Sequence, residues 1–119
     1  MKQPKKSAGA ILRVVIAPGV AIGPGKAALL QEIKQTGSIA AAGRSMGMSY
    51  KRAWYLVDTL NRHFATPLVK SAKGGRSGGG AELTELGEEV LAAFREMEVA
   101  ADAAIAPIAK RLRRNMPST

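Results

Sequence analysis

Apolar residues recur along this chain at two different spacings, and the changes of spacing mark its elements. Ile11-Leu12-Arg13-Val14-Val15-Ile16 is a β-branched run closed by Pro18-Gly19, which predicts a short strand. Ala17 to Gly25 carries two prolines and three glycines and reads as a loop. From Lys26 to Gln35 the pattern turns helical, with Ala28, Leu29 and Ile33 toward the core and Leu30 beside them; Gly37 closes the helix. Ser38 then precedes Ile39-Ala40-Ala41-Ala42 as an N-cap, because its hydroxyl can accept from an orphan backbone N–H. The run breaks at Gly47-Met48-Ser49, and Ser49 caps a second, longer helix. In that helix Tyr50, Ala53, Trp54, Val57, Leu60 and Phe64 form one apolar stripe predicted to face inward. Lys51, Arg52, Tyr55, Thr59 and Arg62 fall on the other side. A short helix, a glycine turn and a longer helix opening with cations is the sequence form of a helix-turn-helix, whose second helix enters a DNA groove.

Beyond Phe64 the period changes twice more. Thr66-Pro67 stops the helix, since proline disfavours helical backbone at the residue before it. Leu68-Val69-Lys70-Ser71 and Ala81-Glu82-Leu83-Thr84 predict two strands around a glycine-rich tip, Lys73 to Gly80, which together form a hairpin placed as a wing. Lys70, Lys73 and Arg76 would ride on that ribbon. From Thr84 onward one helical pattern runs on, with Glu85, Glu88 and Glu89 at its start, where acids suit the helix dipole. Leu86, Val90, Phe94, Met97, Ala101, Ile105, Ile108 and Leu112 follow at steps of four, four, three, four, four, three and four. A seam that long exceeds what a small domain needs for its own core. It predicts a dimerisation helix, with a kink or end near Pro107. Ala92, Ala93, Ala100, Ala103 and Ala104 would permit close helix approach.

The expected fold is therefore mainly α with a small β wing: a winged helix-turn-helix with a long C-terminal dimerisation helix. Residues 1–9 are read as a disordered basic arm, 10–84 as the DNA-binding domain, 85–114 as the dimerisation helix and 115–119 as a disordered tail.

Charge sharpens this picture. The 119 residues carry a formal charge of +9, but residues 1–81 hold 13 Lys/Arg against two acids, Glu32 and Asp58, while residues 82–119 hold five basic and seven acidic residues. The positive field belongs to the segment with the helix-turn-helix, as a polyanion partner requires. The basic cluster Lys110 to Arg114 reads as either phosphate-directed or a solvated helix end. There is no cysteine, which fits an intracellular, cytoplasmic compartment and excludes disulfides and thiolate metal sites. No apolar run approaches the roughly 20 residues that span a bilayer, and Arg13 and Pro18 interrupt the signal-like start.

Catalytic chemistry finds no footing. His63 is the single histidine, without a second ligand at metal spacing, so neither a metal site nor an activated serine is expected. Gly23-Pro24-Gly25-Lys26 fails as a phosphate loop: Val20 stands where the first glycine belongs, and Ala27 replaces the magnesium-binding hydroxyl. No enzyme activity, cofactor or small-molecule site is expected.

The stretch Gly37-Ser38-Ile39 through Met48-Ser49-Tyr50-Lys51-Arg52-Ala53-Trp54, the wing Gly74-Gly75-Arg76-Ser77-Gly78-Gly79-Gly80-Ala81 and the string Leu83-Thr84-Glu85-Leu86-Gly87 resemble the DNA-binding half of ModE-type molybdate-responsive transcriptional regulators. The resemblance runs from about Leu12 to Leu112. It implies a LysR-like winged helix-turn-helix that dimerises through its long helices. Members of that family continue into an oxyanion-binding module; the resemblance here covers the DNA-binding half alone, and no site for the anion is expected within these residues. The expected activity is sequence-specific binding of double-stranded DNA by a homodimer on a pseudo-palindromic site, in transcriptional regulation. Ser49 and Tyr50 would sit at phosphate, Lys51, Arg52 and Tyr55 at base edges, and Lys73 and Arg76 on the backbone or minor groove, with Ser38 and Lys70 also among the DNA-binding residues. Leu86, Val90, Phe94, Met97, Ala101, Ile105 and Ile108 would join the protomers. Two alternatives remain open at this point: an interaction protein that heterodimerises with a full-length regulator, and a sequence-indifferent architectural DNA binder.

Overall fold

The computed structural model describes residues 8–72 and 80–118. Strands β1 (Val14–Ala17) and β2 (Val20–Ile22) are followed by helices α1 (Pro24–Thr36), α2 (Ile39–Ser45) and α3 (Tyr50–His63). Strands β3 (Val69–Ala72) and β4 (Gly80–Leu83) then lead into α4 (Glu85–Arg113). The strands form two separate two-stranded antiparallel sheets. This is the expected winged-helix order with one addition. The stretch read as a loop contains β2, which pairs back on β1 with Val14 opposite Ile22 and Val15 opposite Ala21. Pro18-Gly19 is the turn of that hairpin; it ends one strand and starts the next.

Each helix begins where its local chemistry dictates. Pro24 opens α1, its fixed φ and missing N–H costing nothing in the first turn. Ser38, Ser49 and Thr84 cap α2, α3 and α4, their hydroxyls accepting from the N–H groups of Ala41 at 3.1 Å, Arg52 at 3.0 Å and Gly87 at 3.0 Å. The core they enclose is made of Ile22, Leu29, Leu30, Ile33, Val57, Leu60, Leu68 and Phe94, all essentially inaccessible. Within α1 the buried alanine is Ala27 rather than the half-buried Ala28, because Ala27 shares a helix face with Leu30 and Ile33 at steps of three. No polar or charged side chain is buried among the described residues, so apolar contact alone fills the interior.

The wing is fastened at both ends. The Ala81 N–H donates to the Gly37 carbonyl at 2.9 Å, joining β4 to the turn between α1 and α2. Thr84 N–H donates to Leu68 O at 2.9 Å, and the Thr84 hydroxyl donates to Pro67 O at 2.7 Å. Gly87 then lies against the Leu68 carbonyl so closely that no side chain fits: a Cβ there would stand 3.0 Å from the Leu68 carbonyl carbon and nearer still to its oxygen.

Helix α4 has 29 residues, about 44 Å at 1.5 Å per residue. Pro107 lies inside it, so the helix does not end there. Its fully buried residues, Gly87, Val90, Leu91 and Phe94, all lie in the first three turns. The expected dimer seam is thereby divided. Phe94 and Val90 belong to the protomer's own core, and Leu86 and Met97 are partly buried against it. Ile105, Ile108 and Leu112 remain 37%, 52% and 66% exposed. One periodicity serves two surfaces because the helix outruns the globule it packs on. At the free end, the Ala10 N–H donates to Asp102 Oδ1 at 2.7 Å, laying the start of the described chain along α4.

Candidate nucleic-acid interface

Helices α2 and α3 meet across a turn that permits very close packing. Gly47 lies at φ 71°, the left-handed conformation that lets the chain reverse within three residues. Gly43 approaches α3 so nearly that an added Cβ would come 3.0 Å from Ala53 Cβ. The Ser45 hydroxyl donates to Glu32 Oε1 at 2.7 Å, tying the end of α2 to α1. The result is a fixed angle between α2 and α3, the geometric requirement for presenting the second helix to a groove.

Burial around α3 divides its surface into three strips. Ala53, Val57 and Leu60 are buried, and Leu56 and Phe64 are partly buried. At about 100° per residue, Lys51, Tyr55, Asp58 and Arg62 point directly away from that core. Tyr50, Trp54 and Asn61 fall on the flank toward the wing, and Arg52, Thr59 and His63 on the opposite flank. Tyr50 and Trp54, expected in the core stripe, are 58% and 44% exposed. The buried stripe is narrower than the spacing predicts, since Ala53, Val57 and Leu60 already fill the arc that faces α2 and the core. The two rings pack edge to face at 6.3 Å, and Trp54 borders a groove beside Ile39, Val69 and Ala81.

The cations at the start of α3 are free to meet an anion. Lys51 and Arg52 are exposed and in none of the ion pairs among the described residues. Arg62 is partly neutralised by Asp58 at 3.3 Å. Ser49 is exposed and Ser38 half-buried; in both the oxygen accepts the capping bond, which leaves the hydroxyl hydrogen available to a phosphate. In the wing, Lys70 is exposed and stands opposite Glu82. Lys73 and Arg76 lie outside the described residues.

Asn61 is the residue that sequence reading missed. Its Oδ1 accepts from the N–H groups of Leu68 at 2.9 Å and Val69 at 3.1 Å, and its Nδ2 donates to Val69 O at 3.2 Å. One amide thus binds the last turn of α3 to the first residues of the wing, so helix and wing form one rigid surface. His63, on the opposite flank, is half-buried. Among the described residues no group of His, Cys, Asp and Glu could hold a metal ion, and no helix is long and apolar enough to cross a membrane.

Comparison with known proteins places these features in context. Residues 26–88 match the family model of bacterial regulatory helix-turn-helix proteins of the lysR family. The molybdenum-pterin-binding protein MopB of Rhodobacter capsulatus is 48% identical over 80 residues, covering 67% of this chain and 30% of that protein. The molybdenum transport protein ModE of Azotobacter vinelandii is 37% identical over 94 residues, covering 79% of this chain and 35% of its own length. The chain thus spans about a third of the curated relatives it matches. Among solved structures, full-length LysG from Corynebacterium glutamicum with bound effector Arg superposes with a TM-score of 0.56 at 25% identity, over 81% of this chain and 31% of that one. The DNA-binding domain of CbnR in complex with DNA superposes with a TM-score of 0.55 at 22% identity, over 73% of this chain and 95% of that one, a likeness of fold.

Proposed function

This chain belongs to the LysR family of bacterial regulatory helix-turn-helix proteins, and on that premise we propose how it acts: as a sequence-specific DNA-binding transcriptional regulator that reads the major groove with the outermost strip of α3. The observation that carries the reading is the exposed, unneutralised Lys51 at the start of α3, aimed away from the core, with the equally unpaired Arg52 on the flank beside it. Lys51 and Tyr55 lead that strip and reach base edges. Ser38, Ser49 and Tyr50 sit where phosphates border the groove, and Lys70 approaches the backbone from the wing. The molybdenum-related names of its relatives support target genes concerned with molybdenum.

The protein acts as a homodimer joined by the second half of α4. Ala101, Ile105, Ile108 and Leu112 recur at helical spacing and stay half-buried or exposed after the core has taken Val90 and Phe94. A two-fold pair then offers two α3 helices to half-sites about one helical turn apart, as in other helix-turn-helix dimers.

The test is Lys51→Ala, measured against a duplex selected from random DNA by the unmodified chain and against single-base variants of it. Loss of a base-edge contact should cost about 1–3 kcal/mol and relax preference at one base position in each half-site. Equal weakening on selected and random duplexes would remove Lys51 from the reading role.

A further inference from the structure

Arg13, Lys26 and Arg52 come from three separate parts of the chain: the residue before β1, the first turn of α1 and the first turn of α3. They nevertheless border one open cavity of about 340 Å³, whose remaining walls are Ala21, Gly23, Gly25, Met48 and Leu56. No acid lines it. The Lys26 ammonium donates to the Ala21 carbonyl at 3.2 Å, which holds it at the wall with donors to spare. None of the three cations is in an ion pair among the described residues. The two acids of residues 1–81 are engaged elsewhere, Glu32 with Ser45 and Asp58 with Arg62. Three convergent positive charges without a counter-charge repel one another, and that cost is offset when an anion settles among them.

We propose that Arg13, Lys26 and Arg52 form a phosphate clamp on the DNA backbone, on the flank of α3 opposite the wing. The proposal rests on the reading of α3 as the groove-facing helix. Arg52 lies about 100° around α3 from Lys51, so a duplex engaged by Lys51 carries one bordering strand past the cavity. The wing, with Lys70, meets the other border. Arg52 is thereby assigned to the backbone rather than to a base edge, and the β1–β2 hairpin, which supplies Arg13 and Ala21, becomes part of the DNA-binding surface.

The experiment is binding of the full chain to a random-sequence duplex over a potassium chloride series, read by fluorescence anisotropy. Each lost phosphate contact lowers the slope of log K against log salt by about 0.9, so Arg13→Ala/Lys26→Ala should lower it by about 2. The ratio of affinities for selected and random duplexes should stay unchanged. The charge-preserving pair Arg13→Lys/Lys26→Arg should keep the original slope, and matching circular dichroism melts would show that both variants fold. An alanine pair with the original slope, in a chain whose unmodified form still prefers its selected duplex, overturns the clamp and leaves the reading of α3 standing. An unmodified chain that binds no duplex overturns both. Inorganic phosphate titrated at constant ionic strength and followed by amide NMR should produce no saturating shifts at Gly23–Ala27 or Arg52. Saturation there would assign the cavity to a free oxyanion instead.

Discussion

Gly87→Ala sets two opposing effects against each other, and the structure decides the sign. Replacing a glycine inside a helix by alanine ordinarily stabilises by about 1 kcal/mol, through a smaller loss of backbone freedom. At Gly87 the added carbon would strike the Leu68 carbonyl group and stand 3.2 Å from Leu83 Cβ. The obstacle is backbone, pinned by the hydrogen bond from Thr84 N–H at 2.9 Å, so it cannot swing aside as a side chain would. Forcing a carbon into a packed site costs about 1–3 kcal/mol, and disturbing the Thr84–Leu68 bond adds about 0.5–1.5 kcal/mol. Set against the propensity gain, the net loss is about 2 kcal/mol. An unfolding entropy of about 2.1 cal/mol/K per residue makes that a fall in Tm of about 8 °C for a chain of this length. Gly25→Ala is the internal comparison. It is also helical, a Cβ there meets nothing within 4 Å, and its φ is not positive. That variant should gain about 0.4–1 kcal/mol. Thermal melts of both variants by circular dichroism provide the check. A Gly87→Ala protein as stable as the parent, or more so, would refute the close packing of α4 on the wing.

Two further outcomes follow from the same contacts. Asn61→Ala leaves the Leu68 and Val69 N–H groups without their acceptor; at about 1–3 kcal/mol for an unsatisfied buried donor, urea denaturation should record a loss of about 2–4 kcal/mol, and affinity for DNA should fall as the wing comes loose from α3. Ile105→Asp/Ile108→Asp places charges on the exposed half of α4, so sedimentation velocity should report monomers while the far-ultraviolet spectrum stays that of the folded chain; a persistent dimer would move the interface elsewhere.

What could be read from the sequence was whatever is local. Ser38 and Ser49 announce helix starts because a cap acts within three residues, and both cap as expected; Thr84, read as the end of a strand, caps α4 by the same chemistry. The positive face of α3 was legible for the same reason. Contacts decided by distant partners were not. Val20-Ala21-Ile22 looks like loop between glycines until it meets Val14 and Val15. Asn61 is one polar residue in a helix until Pro67 turns the chain and brings Leu68 and Val69 back to it. Phe94 and Ile108 share one periodicity, and only the height at which the globule ends along α4 separates core from free surface. Arg13 and Lys26 are remote from Arg52 in sequence, and no spacing rule could place them around one cavity.

The central claim, that α3 recognises particular base sequences and not merely charge, is tested most directly by competition. A labelled duplex selected by the purified chain is held in complex at physiological salt, and unlabelled selected or random duplex is added. Specific regulators of this kind prefer their sites by about 10³-fold or more, so random DNA should displace the label only at a correspondingly larger excess. Displacement by both at the same concentration would mean that the positive surface binds any duplex and reads none.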